Sequence, residues 1–383
     1  MSDRFHVLFL NSWYPNRVLP TNGDFIQRHA EAVATRYRVT CVHAITDPDL
    51  KGGVKITDDI IAGVRTIIAY IPPVANPLIK SYRFISAYRR MMTMVGGFDI
   101  IHVHRTFPAG VGAYLLRLLK GIPYIITEHW TGYRPGSRHA LTSSERFWAR
   151  RIIKRAFRVC PVSKDLALSM QQLGFKGEYE SVPNVVKTDL FNIRGKTAGS
   201  ASFEILHVSS LIDEHKNITG LLHGVAPFLA KYPNARLTII GDRPERYAPQ
   251  IQSLELAPTR IRLIDQMPQE QLAEYMRSAD VFVLFSREEN LPCVILESFA
   301  SGTPVVSSDV GGIKEYFPDN FGRLVPSGDQ VALFTALEEV IRAETGFAKP
   351  EEMLDYVRRH FSPGAIASAY GKIYKQALRN NDR

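Results

Sequence analysis

Short apolar runs recur along the whole chain, each followed by a polar break and then by an amphipathic stretch. In the first half, Phe5–Leu10, Arg38–Ala44, Arg65–Tyr70, Asp99–His104, Pro123–His129 and Arg158–Ser163 have the length and Val/Ile content of buried strands. Helical periodicity lies between them, as in the segment that opens at Gly23-Asp24-Phe25 and runs to about Tyr37. The second half repeats the style with strands at Glu204–Ser209, Arg236–Gly241, Arg260–Ile264, Val281–Phe285, Pro304–Ser307 and Arg323–Val325. Helices are expected between these and at 329–343 and 351–360, with a last one around 364–378 after Ser362-Pro363-Gly364. Regular alternation of this kind predicts an α/β fold with parallel sheets covered by helices on both faces. The small, polar run Asn192–Ser202 predicts the linker between two doubly wound halves, residues 1–190 and 202–360.

The most informative stretch is Asp280–Glu315, a strand, loop, helix, strand unit. Its loop, Ser286–Asn290, belongs at the carboxyl edge of a sheet, where open α/β folds bind ligands. Pro292 precedes the helical run Val294–Ala300, and Gly302 closes it. Glu289 falls just before the helix and Glu297 less than two turns inside it, so both carboxylates are expected at one pocket. The helix N-terminus there offers free N–H groups and partial positive charge, a natural seat for phosphate.

Glu289-x7-Glu297, preceded by Ser286 and followed by Ala300-Ser-Gly-Thr-Pro-Val-Val and Gly311-Gly312-Ile-Lys-Glu315, resembles the donor-site signature of family 4 glycosyltransferases. The resemblance extends to Trp13-Tyr14-Pro15 with Asn22-Gly23-Asp24-Phe25, which looks like the family's N-terminal glycine loop. It continues through Thr127-Glu128-His129, Val162-Ser163, Val182-Pro183-Asn184, Asp189-Leu190-Phe191, His207-Val208-Ser209 with Lys216, and Gly241-Asp242. It implies the GT-B fold, two Rossmann-like domains facing each other across a cleft, with the final helix returning to the first domain. It also implies a retaining, nucleotide-sugar-dependent transferase acting on a glycan or lipid-linked hydroxyl, in polysaccharide or glycolipid assembly, with no metal or other cofactor.

Roles follow from the same resemblance. Lys216 is the expected diphosphate contact, and Ser210 stands where the family usually adds an Arg. Glu297 is expected to bind ribose hydroxyls, and Glu289 to meet the donor sugar near the reacting carbon. Asn290, Leu291 and Gly241 line the donor site, and Gly23 lets backbone approach the phosphate. Asn290 and Pro292 replace two glycines common beside the first Glu, and Lys187 stands where an Asp is common. His129 is expected to contact sugar or acceptor, and Asn184 matches a position near the hinge.

Composition adds bounds. The net charge of +9 is uneven: residues 1–190 carry 26 Lys/Arg against 14 Asp/Glu, net +12, and the remainder 21 against 24, net −3. Basic helical segments with interleaved aromatics, Lys80–Val95 and Arg146–Arg158, suit the surface of an anionic membrane as well as a helix packed on its sheet. The placement expected is cytoplasmic, at the inner face of a membrane. No window approaches the roughly 18 apolar residues of a membrane span, and the N-terminus reads as a first strand. Cys41, Cys160 and Cys293 form no pair spacing, which points to a reducing compartment. His102 and His104 share one strand face, either as core residues or as two ligands of one metal, and Asp47-Pro48-Asp49 has the spacing of a metal-binding DxD. Two other activities fit parts of the pattern: a nucleotide-sugar epimerase or phosphorylase on the same fold, and a basic nucleic-acid-binding protein. The second lacks a nucleic-acid module, and its charge lies away from the strongest motif.

Overall fold

The computed structural model describes residues 5–134, 141–195, 202–342 and 346–381. These form two compact units, one of Met1–Val185 with Pro363–Arg383, the other of Val186–Ser362.

The first unit holds β1 (His6–Asn11), α1 (Asp24–Ala34), β2 (Arg38–Thr46), β3 (Lys55–Ile61), β4 (Val64–Ile71), α2 (Pro77–Val95), β5 (Ile100–His104), α3 (Gly110–Lys120), β6 (Tyr124–Glu128), α4 (Ser143–Arg155), β7 (Arg158–Pro161) and α5 (Lys164–Gln172). Its sheet runs β3-β4-β2-β1-β5-β6-β7, parallel except for β3. The chain winds from β1 toward one edge and then returns to place β5 on the other side of β1, so the winding reverses between β1 and β5. The C-terminal helix α13 (Pro363–Asn381) belongs to this unit: Ile366, Tyr370, Ile373 and Tyr374 join Ile26, Ala30 and Val33 of α1 in one core.

The second unit holds β8 (Phe203–Ser209), α6 (Asp213–Lys216), α7 (Ile218–Lys231), β9 (Ala235–Gly241), α8 (Ala248–Gln252), β10 (Ile261–Asp265), α9 (Gln269–Ser278), β11 (Val281–Leu284), α10 (Cys293–Ala300), β12 (Val305–Ser308), β13 (Gly322–Val325), α11 (Gln330–Ile341) and α12 (Pro350–Phe361). All six strands are parallel, in the order β10-β9-β8-β11-β12-β13, and the winding reverses between β8 and β11. The central strands β1, β5, β6, β11 and β12 are buried on both faces, which is why they read as continuous runs rather than alternations.

Three features depart from the sequence reading. β3 goes unmarked there because it is an exposed edge strand with Asp58-Asp59 in its middle, joined to β4 by the left-handed pair Ala62-Gly63. α10 starts at Cys293 rather than Val294, and its N-cap is Pro292. Residues 186–195 fold with the second unit, tied in by the Val186 N–H on the Phe361 carbonyl (2.9 Å) and by buried Phe191. Part of the expected linker, residues 196–201, lies outside the described residues. Cys41 and Cys160 are buried thiols within the first sheet.

Candidate active site

At a reversal point, two neighbouring strands send their loops apart and leave a crevice beyond their carboxyl ends. In the second unit this is the space after β8 and β11. The chain leaves β8 through buried Leu211, in the left-handed region at φ 56, makes the single turn α6, and bends again at Asn217 (φ 53). These bends bring Lys216 back over the end of β11. Its ammonium lies 2.5 Å from Glu289 Oε1, and the hydroxyl of buried Ser286 donates to the same oxygen (2.8 Å).

The two loops are joined at further points. His215 Nδ1 lies 2.6 Å from Glu288 Oε1, the Arg287 N–H donates to the His215 carbonyl (2.8 Å), and the Arg287 guanidinium donates to the Asp213 carbonyl. The Asn290 carbonyl accepts the Gly312 N–H (3.0 Å), so the turn after β12 closes against the loop after β11. Asn290, Leu291 and Glu297 are all buried here, Glu297 within α10 and 1% exposed.

Gly241 ends β9 in register with Ser209. A Cβ on it would sit 2.2 Å from the Ser209 carbonyl oxygen and 2.5 Å from Leu211, so crowding at the end of β8 itself demands a glycine. Ser210 is exposed.

Gly23 and His129 lie in the first unit. Gly23 is the N-cap of α1 at φ 77, and a Cβ there would come within 3.0 Å of the Trp13 Cβ. His129 follows β6 and packs its ring on Phe25 (4.5 Å between centroids) and near His29 (5.5 Å), with Nε2 3.3 Å from His104 Nδ1. Burial first, then neighbouring His29, holds its pKa well below the usual range, so it is a neutral imidazole. His29, which also faces Asn184 (3.4 Å), is pushed down to about 4 by burial.

His102 and His104 are core residues. His102 bonds the Tyr374 hydroxyl (2.6 Å) and Thr127 Oγ1 (2.7 Å), and no His, Cys, Asp and Glu group among the described residues has the makings of a metal site. Asp47 is a structural partner: it accepts from Arg17 Nε (3.0 Å) and from the Asp49 N–H (3.1 Å).

The sequence reading named Ser286 and Glu128 only as motif positions and missed the supporting contacts. Ser286, His215 with Glu288, and Arg287 fix the Lys216–Glu289 pair. Glu128, wholly buried, accepts from Thr106, His129 and Trp130 and so pins the loops after β5 and β6 together. Glu128 carried a signal, a carboxylate ending an apolar strand. His215 and Arg287 carried none, being ordinary polar loop residues until the fold brings them together.

Residues 24–190 match the family model described as Glycosyltransferase Family 4, and residues 202–343 match Glycosyl transferases group 1. The chain is 28% identical over 360 residues to a phosphatidyl-myo-inositol mannosyltransferase of Mycobacterium leprae, covering 92% of each. It is 26% identical over 295 residues to an N-acetyl-alpha-D-glucosaminyl L-malate synthase of Bacillus anthracis, covering 74% of this chain and 76% of that one. Among solved structures, sucrose-phosphate synthase of Thermosynechococcus elongatus superposes with a TM-score of 0.80 at 22% identity, over 98% of this chain and all of that one. The fold is GT-B, two Rossmann-like units in one chain.

Proposed function

This chain belongs to glycosyltransferase family 4, and from that premise we propose that it moves a sugar from a nucleotide-sugar to a hydroxyl of a glycan or lipid-linked acceptor, with retention at the anomeric carbon. The observation that carries the reading is the Lys216–Glu289 contact at the reversal point of the second sheet. A nucleoside diphosphate leaves with roughly three negative charges, and a fixed ammonium beside a helix N-terminus stabilises that charge as it develops. Lys216 is the diphosphate contact, Glu297 the ribose acceptor and Glu289 the partner of donor-sugar hydroxyls, with Asn290, Leu291 and Gly241 shaping the site and Gly23 approaching the phosphate. On donor binding, Lys216 exchanges its carboxylate partner for phosphate oxygens, which frees Glu289 for the sugar. His129, kept neutral, donates or accepts one hydrogen bond to sugar or acceptor without adding charge. No side chain is assigned as a covalent nucleophile; as the resemblance to the family implies, the departing phosphate takes the acceptor proton on the same face.

In this reading the cationic and N–H groups do the work a metal does elsewhere, and activity is insensitive to chelators. The acceptor class is the glycolipid or polysaccharide type suggested by relatives named for phosphatidyl-myo-inositol and for teichuronic acid biosynthesis. Among the described residues, no helix is long and apolar enough to cross a membrane. The first turns of α2 expose Leu78 (80%), Tyr82 (71%) and Ile85 (61%) beside Lys80, which supports peripheral association with an anionic surface at the cytoplasmic side.

The test is a turnover assay with product stereochemistry read by NMR. Retention in the wild type, with a strong loss in Glu289→Gln, is expected. Inversion, or full activity in Glu289→Gln, defeats the assignment.

A further inference from the structure

The first sheet has its own reversal point, between β1 and β5, and Arg105 follows β5 there while Trp13 follows β1. Arg105 is held in the left-handed region at φ 65, which a non-glycine residue seldom adopts without a reason. Its N–H donates to the Thr127 carbonyl (2.9 Å), and its own carbonyl accepts from the Ser12 hydroxyl (3.1 Å). The bend delivers the guanidinium between two indoles, 4.4 Å from the ring centroid of Trp13 and 4.4 Å from that of Trp130.

Both walls are fixed. Gly23 and Gly132 leave room for them: a Cβ on Gly132 would fall 2.5 Å from the Trp130 ring. Glu128 takes the Trp130 N–H on one oxygen (3.1 Å) and the Thr106 N–H, next to Arg105, on the other (2.9 Å). Among the described residues the Arg105 side chain has neither ion pair nor hydrogen bond, and its Nε is buried without an acceptor.

Arg105 is half-buried with its Nε inside; shielding part of a guanidinium from water without a counter-ion is costly, and contact with two rings offsets only part of that cost. Its N–H donors all lie in the guanidinium plane. That fork matches the two oxygens of a phosphate or carboxylate, and a lysine ammonium has no equivalent geometry.

We propose that Arg105 is a specificity-determining residue of the first unit that binds a phosphate or carboxylate carried by the acceptor. The proposal rests on the reading of this unit as the acceptor side. The other source of such an anion is the donor's diphosphate, and the experiment separates the two.

All three tryptophans, Trp13, Trp130 and Trp148, lie in the first unit, and two of them are the walls of the Arg105 site, so indole emission reports there. The full chain carrying Trp148→Phe is titrated with inorganic phosphate and with malonate while emission is followed. Nucleoside diphosphate binding is followed separately by melting shift. Expected are a saturable emission change, an affinity lower by roughly tenfold or more in Arg105→Gln, and a clear loss in Arg105→Lys, which keeps the charge but not the fork. The nucleoside diphosphate shift persists in both variants. No saturable change with either anion, or equal affinity in Arg105→Gln, overturns the proposal and leaves the clamp a structural feature. Loss of the nucleoside diphosphate shift in Arg105→Gln overturns it in favour of the donor. If no nucleoside diphosphate shifts even the wild type, the transferase reading fails, while the phosphate titration still decides the role of Arg105.

Discussion

Both sheets reverse their winding once, at β1/β5 in the first unit and at β8/β11 in the second, and the two reversal points carry different chemistry. At the second, Lys216 and Glu289 neutralise each other among polar loop residues. At the first, Arg105 lies between two indoles with no carboxylate partner among the described residues, and the core behind it contains His29, His102 and His104 beside His129. The same topology thus supports a paired charge that a ligand must divide and an unpaired one that a ligand can complete. A divided pair suits charge that appears during a reaction; an unpaired cation suits a charge already present on a substrate.

The widest separation between the units is expected in acid. His6, His29, His43, His102, His104 and His129 of the first unit all have pKa values lowered chiefly by burial, against His207 alone in the second. Above the ordinary value of 6.5, folded and unfolded forms are both neutral and these groups leave stability unchanged. As pH falls from about 6.5 to about 4 the unfolded chain takes up protons that the folded unit refuses, so stability falls; His29 alone accounts for about 3 kcal/mol at full effect. Amide exchange resolved by unit should show the first opening earlier on acidification. Equal loss in both units would remove this half of the comparison.

Next in size is catalysis. Lys216→Ala and Glu289→Gln should each lower turnover by roughly a hundredfold, about 2.7 kcal/mol of transition-state stabilisation, with the melting temperature little changed. A collapse of the fold in either variant would mean that the pair acts structurally.

Smaller effects come from the glycines at the two crevices. Gly241→Ala drives a Cβ into the Ser209 carbonyl and should cost about 2 kcal/mol or more in denaturant unfolding. Gly23→Ala meets a left-handed backbone and a looser contact at 3.0 Å, and should cost about 1 kcal/mol. The reverse order would show that the first crevice is the tighter one.

Much of the fold was legible because parallel strands buried on both faces leave apolar runs and because Pro and Gly punctuate the helices; α10, between Pro292 and Gly302, is the clearest case. β3 was not legible, since an exposed edge strand needs no apolar face. At the site, Glu289, Glu297 and Lys216 stood out through the resemblance of the surrounding motifs to family 4 glycosyltransferases, not by type and spacing alone. That Lys216 would touch Glu289, 73 positions away, follows only from the reversal of strand order and the left-handed bends at Leu211 and Asn217. Arg105 was illegible for the same reason: its two indole walls come from loops after β1 and β6, and a lone Arg after an apolar strand carries no mark.

The central claim is that the Lys216–Glu289 site is where a nucleoside diphosphate binds. The most direct test is a melting-shift panel of UDP, GDP, ADP and CMP, with and without EDTA, on the wild type and on Lys216→Ala. One nucleoside diphosphate should raise the melting temperature of the wild type, unaffected by EDTA, and the shift should largely vanish in Lys216→Ala. A shift that survives the substitution unchanged, one that disappears with EDTA, or none for any nucleotide would contradict the claim.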